Sequence, residues 1–266
     1  MTNYPIAVKG WLPLQRMAGR LACLTLGATL LIAAALPAHA ATRVAVAANL
    51  LPVMEQMVKA YAAQGGTAVE VLSGSTGMLY GQIRNGAPVD LFIAADTKHP
   101  DLLMQDGLAE APAVVAVGRA VFWTAQAQCA RPAWQDMLVC VGSGPIAIAQ
   151  PDLAPYGAAA DRALEAAGLG AIVRPRLVFG ESVGKAFQFA ASGSAVGGFV
   201  ALSQAMSDAG GKGVYAILTE SPGLPHAACV LRGGQDVAGA RAFLRFLQSA
   251  AGVALLRAAG YEMVAP

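Results

Sequence analysis

Strand-like and helix-like segments alternate along most of this chain, and few folds accommodate that order. Short apolar runs, many of them rich in β-branched residues, are followed by longer segments whose apolar residues recur at helical spacing. Strands are predicted at 43–48, 67–72, 89–94, 113–123, 144–149, 174–179, 195–200, 213–218 and 226–232. Helices are predicted at 51–63, 77–85, just after Asp96, and at 156–167, 182–191, 202–208, 237–248 and 252–259. Such alternation predicts mostly parallel sheets flanked by helices.

The alternation falls into two series joined by extended segments. The first series ends in the long apolar run Ala113–Trp123, and the last predicted strand leads the chain back to it. We therefore expect an α/β protein of two lobes joined by two crossover strands. Lobe 1 is expected to comprise residues 41–120 and 226–266, and lobe 2 residues 121–225. In such a fold the ligand lies between the lobes, outside the carboxyl ends of the strands.

The first forty residues have the pattern of a signal peptide. Lys9, Arg16 and Arg20 precede the apolar run Leu21–Leu36, and small residues at the end of the segment predict cleavage after Ala40. A membrane anchor is the alternative, but the apolar run is short for a span. The leader carries three positive charges and no negative one, so the net charge changes from +2 to −1 on processing. We expect a periplasmic protein that does not bind nucleic acid.

The cysteines fit an oxidising compartment better than a metal site. Cys129 and Cys140 are close enough in sequence to pair across a short polar loop, whereas Cys229 lies in an apolar run typical of a buried free thiol. The three cysteines are widely spaced, and His99 and His226 belong to no ligand-spaced cluster. No metal cation and no cofactor are expected.

The junction Ser73–Gly77 joins a predicted strand to a predicted helix through small and hydroxyl residues. Small residues let the backbone approach a ligand, and the first N–H groups of the helix then point at it. Ser75 and Thr76 add hydroxyl donors. The loop contains no lysine or arginine, so an anion bound here would be held by neutral dipoles. The alternative is an ordinary turn in which Ser75 or Thr76 caps the helix.

Three further strand-to-helix junctions carry similar groups. The first predicted strand runs into Ala48 and Asn49, and in lobe 2 helices are expected to begin near Tyr156 and around Ser182 and Val183. Hydroxyls, amides and free N–H groups with few formal charges suit an oxyanion site made of neutral donors. Because these donors offer no acceptor, protonated oxyanions such as phosphate are expected to bind poorly.

The chain resembles the periplasmic molybdate-binding proteins of ABC transporters, which have a type II periplasmic-binding fold. The specific blocks are Gly74–Gly77 with Tyr80–Ile83, and Asn85–Asp96. Weaker blocks follow in the right order, and the resemblance covers nearly all of the mature chain. They are Val46–Leu50, Pro151–Gly157, Glu181–Val183, Ala195–Val200 and Gly252–Tyr261.

The resemblance implies a monomeric binding protein, without catalytic residues, that captures molybdate or tungstate. Its expected partner is the membrane permease of an ABC importer, with the cytoplasmic ATPase. Many members have a ligand tyrosine at the position of Ala201, whereas another branch has one at the position of Tyr156, as here. The implied oxyanion ligands are Asn49, the Ala48 backbone, the hydroxyl of Ser75 or Thr76, Tyr156 through either its N–H or its hydroxyl, and the Val183 backbone.

Two other functions fit the same pattern. One is a protein that binds another oxyanion, such as sulfate or thiosulfate. The other is an anion-processing enzyme on the same fold. An enzyme needs a nucleophile and a base at the cleft. His99 follows a strand of the first lobe and His226 lies near the second crossover, so neither is expected near the proposed donors. A binding protein is therefore favoured.

Overall fold

The computed structural model describes residues 41–263, and the predicted leader, residues 1–40, lies outside them. The strands are β1 (Thr42–Ala47), β2 (Val69–Gly74), β3 (Leu91–Ala94), β4 (Ala113–Gly118), β5 (Ala120–Thr124), β6 (Ile146–Ala149), β7 (Leu177–Gly180), β8 (Gly197–Ala201), β9 (Val214–Ile217) and β10 (Leu224–Val230). The α-helices are α1 (Leu51–Ala63), α2 (Thr76–Arg84), α3 (Lys98–Gln105), α4 (Trp134–Cys140), α5 (Pro155–Ala166), α6 (Gly170–Val173), α7 (Val183–Ala191), α8 (Leu202–Ala205), α9 (Val237–Gln248) and α10 (Ala250–Ala258). Within this part of the chain, no helix combines the length and apolar character needed to cross a bilayer.

The strands form two five-stranded sheets, in the orders β2-β1-β3-β10-β4 and β7-β6-β8-β5-β9. In the first sheet β1 is parallel to β2 and β3, whereas β10 is antiparallel to β3 and β4. In the second, β6 is parallel to β7 and β8, whereas β5 is antiparallel to β8 and β9. Both sheets are therefore mixed, whereas the sequence predicted mostly parallel sheets. The antiparallel pairs are made by β10 and β5, the strands next to the crossovers. We call each sheet with its helices the first and the second lobe.

The chain passes between the lobes at two points. The apolar run Ala113–Trp123, predicted as one strand, is two strands that Arg119 separates. β4 pairs with β10 in the first sheet, and β5 pairs with β8 and β9 in the second. Both halves of the run are apolar, so the pattern carries no mark of the change of sheet. The chain returns between Ile217 and Leu224, and the lobe boundaries at residues 120 and 226 remain an interpretation of these crossings.

The first lobe has two buried clusters: α2 and α3 cover one, and the other lies between the sheet and helices α1, α9 and α10. Val44 and Val46 of β1 are fully buried in the latter. The ring of Tyr61, on α1, lies 5.2 Å from the rings of Phe243 and Phe246, on α9. Burying aromatic side chains of this size contributes much of the apolar stabilisation of a lobe.

The second lobe contains a disulfide bond and a helix that the sequence pattern did not indicate. Cys129 and Cys140 are bonded, as predicted, and Cys229 on β10 is a buried free thiol. The segment between the paired cysteines was expected to be only a loop, but it contains α4. Trp134 at the start of α4 is fully buried and packs on Phe199, so tertiary packing stabilises a helix too short to be evident from sequence.

Candidate functional site

Four helices begin beside one gap between the lobes. A 3-10 turn, Ala48–Leu50, follows β1 and continues into α1, and α2 follows β2. In the second lobe α5 follows β6 and α7 follows β7. Because β1 is parallel to β2 and β6 to β7, each lobe brings two neighbouring strand ends to the gap. The first N–H groups of a helix lack acceptors within it, and its dipole favours negative charge there. The arrangement suits an anion.

A small cavity lies at these four helix starts. Among the described residues that line it none carries a formal charge, so an anion inside would meet only neutral donors. All six residues predicted to hold the oxyanion line this cavity, namely Ala48, Asn49, Ser75, Thr76, Tyr156 and Val183. Their convergence follows from their positions, since each comes directly after the carboxyl end of a parallel strand or in the first turn of the next helix.

The first lobe provides two hydroxyl groups whose oxygens already accept a backbone hydrogen bond. Ser75 Oγ caps α2 by accepting from the N–H of Met78 at 3.4 Å. Thr76 Oγ1 accepts from the N–H of Ala95 at 3.0 Å. Both side chains are buried, and each hydroxyl keeps its hydrogen available for donation. The sequence left the choice between Ser75 and Thr76 open. In the structure both hydroxyls have a hydrogen to donate.

The second lobe provides backbone donors from α5 and α7. Tyr156 follows Pro155 in the first turn of α5, and Val183 is the first residue of α7, so their N–H groups have no intrahelical acceptor. The Tyr156 hydroxyl lies against the first crossover instead. It is 3.4 Å from Asn49 Nδ2, and a Cβ built on Gly118 would lie only 2.1 Å from it. Tyr156 therefore faces the cavity with its backbone more than with its hydroxyl.

Asn49 is fully buried at the centre of a hydrogen-bond cluster that includes side chains from both lobes. Its Nδ2 lies 2.7 Å from Tyr261 Oη, 2.7 Å from His226 Nε2 and 3.4 Å from Tyr156 Oη. Its backbone carbonyl accepts from Ser203 Oγ at 2.9 Å and from Tyr261 Oη at 3.1 Å. Within residues 41–263, Asn49 Oδ1 alone is a buried side-chain N or O atom without a hydrogen-bond partner. A site expected to hold only donors thus contains a buried acceptor.

The expectation that His226 lies away from the donors is wrong. β10 begins at the second crossover, so a residue near its start lies between the lobes and reaches Asn49. The Nδ1–H of His226 donates to the carbonyl of Leu224 at 2.9 Å, and burial lowers the pKa of His226 to about 4. The sequence did contain a signal, because His226 is an isolated polar residue in an otherwise apolar run, Leu224–Leu231.

The lobes touch on both sides of the cavity. The N–H of Gly77, in the first turn of α2, donates across the gap to the carbonyl of Leu153 at 2.9 Å. A Cβ built on Gly77 would lie 3.0 Å from that oxygen and 3.2 Å from Leu153 Cα, so glycine permits this approach. Ser203, from the second lobe, donates to the carbonyl of Asn49 at 2.9 Å, and its Oγ lies 3.1 Å from Tyr261 Oη. These cross-lobe bonds were not evident from the sequence.

Between residues 41 and 263, no group of three or more His, Cys, Asp or Glu side chains is placed to hold a metal ion. His99 pairs with Asp96 at 2.7 Å and borders a neighbouring part of the cleft.

Comparison with known proteins identifies the family. The model described as "Bacterial extracellular solute-binding protein" matches residues 42–262. The chain belongs to this family. It is 36% identical to the molybdate-binding protein ModA of Azotobacter vinelandii over 249 residues, which cover 90% of this chain and 95% of that protein. It is 34% identical to ModA of Rhodobacter capsulatus over 235 residues, covering 87% and 92% respectively.

A solved structure carries the same fold. The periplasmic molybdate-binding protein of A. vinelandii matches with a TM-score of 0.79 at 33% identity, over 84% of this chain and 100% of that one. The expected two-lobed type II fold and the expected kinship with molybdate-binding proteins are both confirmed.

Proposed function

We propose that this chain is the periplasmic substrate-binding protein of an ABC importer and that its ligand is molybdate or tungstate. The observation that carries the proposal is the arrangement of four helix starts, two from each lobe, around a small cavity whose described lining residues carry no formal charge. A tetrahedral dianion presents oxygens in four directions, so it can accept hydrogen bonds from both lobes at once. The relatives named as molybdate-binding proteins support this choice of oxyanion.

Neutral donors suit a ligand that must both bind and leave. A dianion loses its hydration on entering the cavity, and several aligned hydrogen bonds offset that cost. A lysine or arginine in the same place would be left buried and unpaired after release. We propose as ligand groups the Ser75 and Thr76 hydroxyls, the N–H groups at Ala48, Tyr156 and Val183, and the amide of Asn49.

Binding without chemistry fits the contacts better than catalysis does. An enzyme would need a base beside a nucleophile, but His226 Nε2 is held by the amide of Asn49. The oxygens of Ser75 and Thr76 are held by backbone N–H groups instead. We therefore propose a binding protein that needs no cofactor. Another oxyanion, such as sulfate or thiosulfate, is the alternative ligand.

The proposed partner is the transporter itself. A monomer would deliver its ligand to the membrane permease and its cytoplasmic ATPase, without contact with nucleic acid. The Cys129–Cys140 bond supports residence in an oxidising compartment such as the periplasm. N-terminal sequencing of the protein from a periplasmic extract should give Ala41 as the first residue, and an intact leader in that fraction would contradict the proposed cleavage.

A panel of oxyanions tests the ligand. Molybdate, tungstate, sulfate, thiosulfate and phosphate are added separately to the mature protein, and the melting temperature is measured by scanning fluorimetry. A ligand at about 100 times its Kd should raise the free energy of unfolding by about 2.7 kcal/mol. Molybdate and tungstate should give the large shifts. An equal shift with sulfate would leave a general oxyanion binder, and turnover of any ligand would indicate an enzyme.

The Asn49→Asp variant tests the site. A carboxylate in this place removes the amide donor and sets a negative charge toward the dianion, so molybdate binding should be abolished. Asn85→Asp makes the same chemical change at an exposed position at the end of α2 and should bind as the wild type does. Affinity of Asn49→Asp within a few-fold of that control would place Asn49 outside the ligand shell.

A further inference from the structure

His226 determines which end of the Asn49 carboxamide is left without a hydrogen-bond partner. The carbonyl of Leu224 can only accept, so the hydrogen of the neutral imidazole is on Nδ1. Nε2 then carries a lone pair, and the group 2.7 Å from it must be a donor, which is the NH2 of Asn49. The orientation of this amide therefore follows from the tautomer of its neighbour.

The second amide hydrogen is also committed. Asn49 Nδ2 donates to Tyr261 Oη at 2.7 Å, and Tyr261 passes its own hydrogen to the Asn49 carbonyl or to Ser203 Oγ, each at 3.1 Å. An NH2 group has two hydrogens, so neither is left for a ligand. The end that remains is Oδ1, which is buried and has no partner among the described residues. An oxygen in this position repels a dianion.

Turning the amide over removes that repulsion but creates another. The NH2 would then take the place of Oδ1, where its hydrogens are free for a ligand, while Oδ1 would lie where Nδ2 now is, against the lone pair of His226 Nε2. A hydrogen on Nε2 resolves the conflict. Moving the existing hydrogen from Nδ1 to Nε2 would leave Nδ1 facing the Leu224 carbonyl without one, so a second hydrogen is required.

We propose that a dianion binds with the Asn49 amide turned over, and that binding is coupled to the uptake of one proton by His226. The proton comes from the solvent and forms the Nε2–H bond, which donates to Asn49 Oδ1; no bond of the ligand is made or broken. His226 is thus a positioning residue that acts through Asn49. This inference rests on the proposed function, since it concerns the same site and ligand.

The surroundings of His226 allow this change. The rings of Tyr261 and Tyr156 lie 5.4 and 6.0 Å from the imidazole, and burial raises the pKa of both hydroxyls, so they stay neutral. Asp96 is the charged group that acts on the ring, and its negative charge raises the pKa of His226. Desolvation opposes this and keeps the ring neutral without ligand, whereas a dianion nearby favours the imidazolium.

Calorimetry measures the proton directly. Molybdate is titrated into the mature protein in three buffers of different ionisation enthalpy, at several values between about pH 6 and pH 8. The dependence of the heat on the buffer gives the number of protons taken up. We expect the uptake of protons to approach one per molybdate near pH 6. In the range where one full proton is taken up, the affinity should fall tenfold for each unit by which the pH rises. Histidine side-chain ¹⁵N NMR should show His226 becoming an imidazolium when molybdate is added.

Two variants separate positioning from structure. In His226→Gln the side-chain amide can donate to Asn49 Oδ1 at every pH, so binding should persist with no proton uptake and no pH dependence. His99→Gln is the matched control, because His99 is the other histidine in the described part of the chain and pairs with Asp96. This control should keep the proton uptake of the wild type.

The outcomes are distinct. Tight binding of molybdate by the wild type with no proton uptake would overturn this inference and leave the proposed function intact. Uptake that persists in His226→Gln would also overturn it, because the proton would then travel on the ligand and be donated to Oδ1. Failure of the wild type to bind molybdate would overturn both. If His226→Gln does not fold, the buffer series and the NMR spectra of the wild type still decide.

Discussion

Replacing Gly77 by alanine tests whether contact between the lobes contributes to affinity. The N–H of Gly77 donates to the Leu153 carbonyl at 2.9 Å, from one lobe to the other. In this arrangement the new Cβ would lie 3.0 Å from the Leu153 oxygen and 3.2 Å from its Cα, closer than ordinary van der Waals contact. The lobes must therefore separate by a few tenths of an ångström, which lengthens or breaks the bond.

The size of the effect follows from that bond. A neutral hydrogen bond contributes about 0.5–1.5 kcal/mol net, so Gly77→Ala should weaken molybdate binding by about two- to tenfold. The ligand-free protein should be as stable as the wild type or more so, because alanine is favoured over glycine in a helix by up to about 1 kcal/mol. Loss of affinity together with gain of stability is the expected combination.

Gly81→Ala is the matched control on the same helix. A Cβ at Gly81 would meet nothing within 4 Å, so this variant gains helix stability without touching the second lobe. Titration calorimetry gives the affinity of both variants, and thermal unfolding without ligand gives their stability. Equal affinities for Gly77→Ala, Gly81→Ala and the wild type would refute the role of the cross-lobe contact. A large drop in ligand-free stability for Gly77→Ala would show damage to the lobe instead.

Three further results are expected. Tyr156→Phe should change molybdate affinity by less than about threefold, since the hydroxyl lies against the crossover; a loss matching the 1.5–3 kcal/mol of a hydrogen bond to a charged group would contradict this. Alkylation of the denatured, unreduced mature protein should label Cys229 alone. Replacing both Cys129 and Cys140 by alanine should lower the unfolding free energy, measured in urea, by about 3 kcal/mol. The unfolding free energy of the ligand-free protein should fall by roughly 3 kcal/mol as the pH is lowered from about 6.5 to 4, because His226 is protonated in the unfolded chain but stays neutral in the folded one. An equal fall in His226→Gln would exclude this cause.

The sequence identified the residues of the candidate cavity because each lies at a position with a local signature. Ser75 and Thr76 follow a strand-like run and open a helical pattern, and Asn49 does so after the first strand. Parallel strands bring such ends to one edge of a sheet, so chain order alone predicted which groups would meet. The resemblance to molybdate-binding proteins added the ligand position at Tyr156.

What could not be predicted depends on contacts between residues far apart in the chain. His226 is separated from Asn49 by 177 residues, and its place in an apolar run does not identify Asn49 as its partner. The same holds for Gly77 and Leu153, whose contact depends on how the lobes meet. The crossover within Ala113–Trp123 was expected, but its division into two strands at Arg119 was missed because both flanking segments are apolar and an apolar run fits either sheet.

Asn49 links ligand binding to the relative position of the lobes. Its carbonyl accepts from Ser203 of the second lobe, while its side chain contacts His226 at the start of the crossover strand β10. Helix starts from both lobes face the cavity, and without an anion their partial positive charges repel one another. Cross-lobe hydrogen bonds, including those of Gly77 and Ser203, form when the lobes are together and then oppose that repulsion; these two contribute about 1–3 kcal/mol together. An anion reverses the sign of the interaction, because it supplies acceptors to both sets of donors. Affinity should therefore depend on the cross-lobe contacts as well as on the groups that touch the ligand.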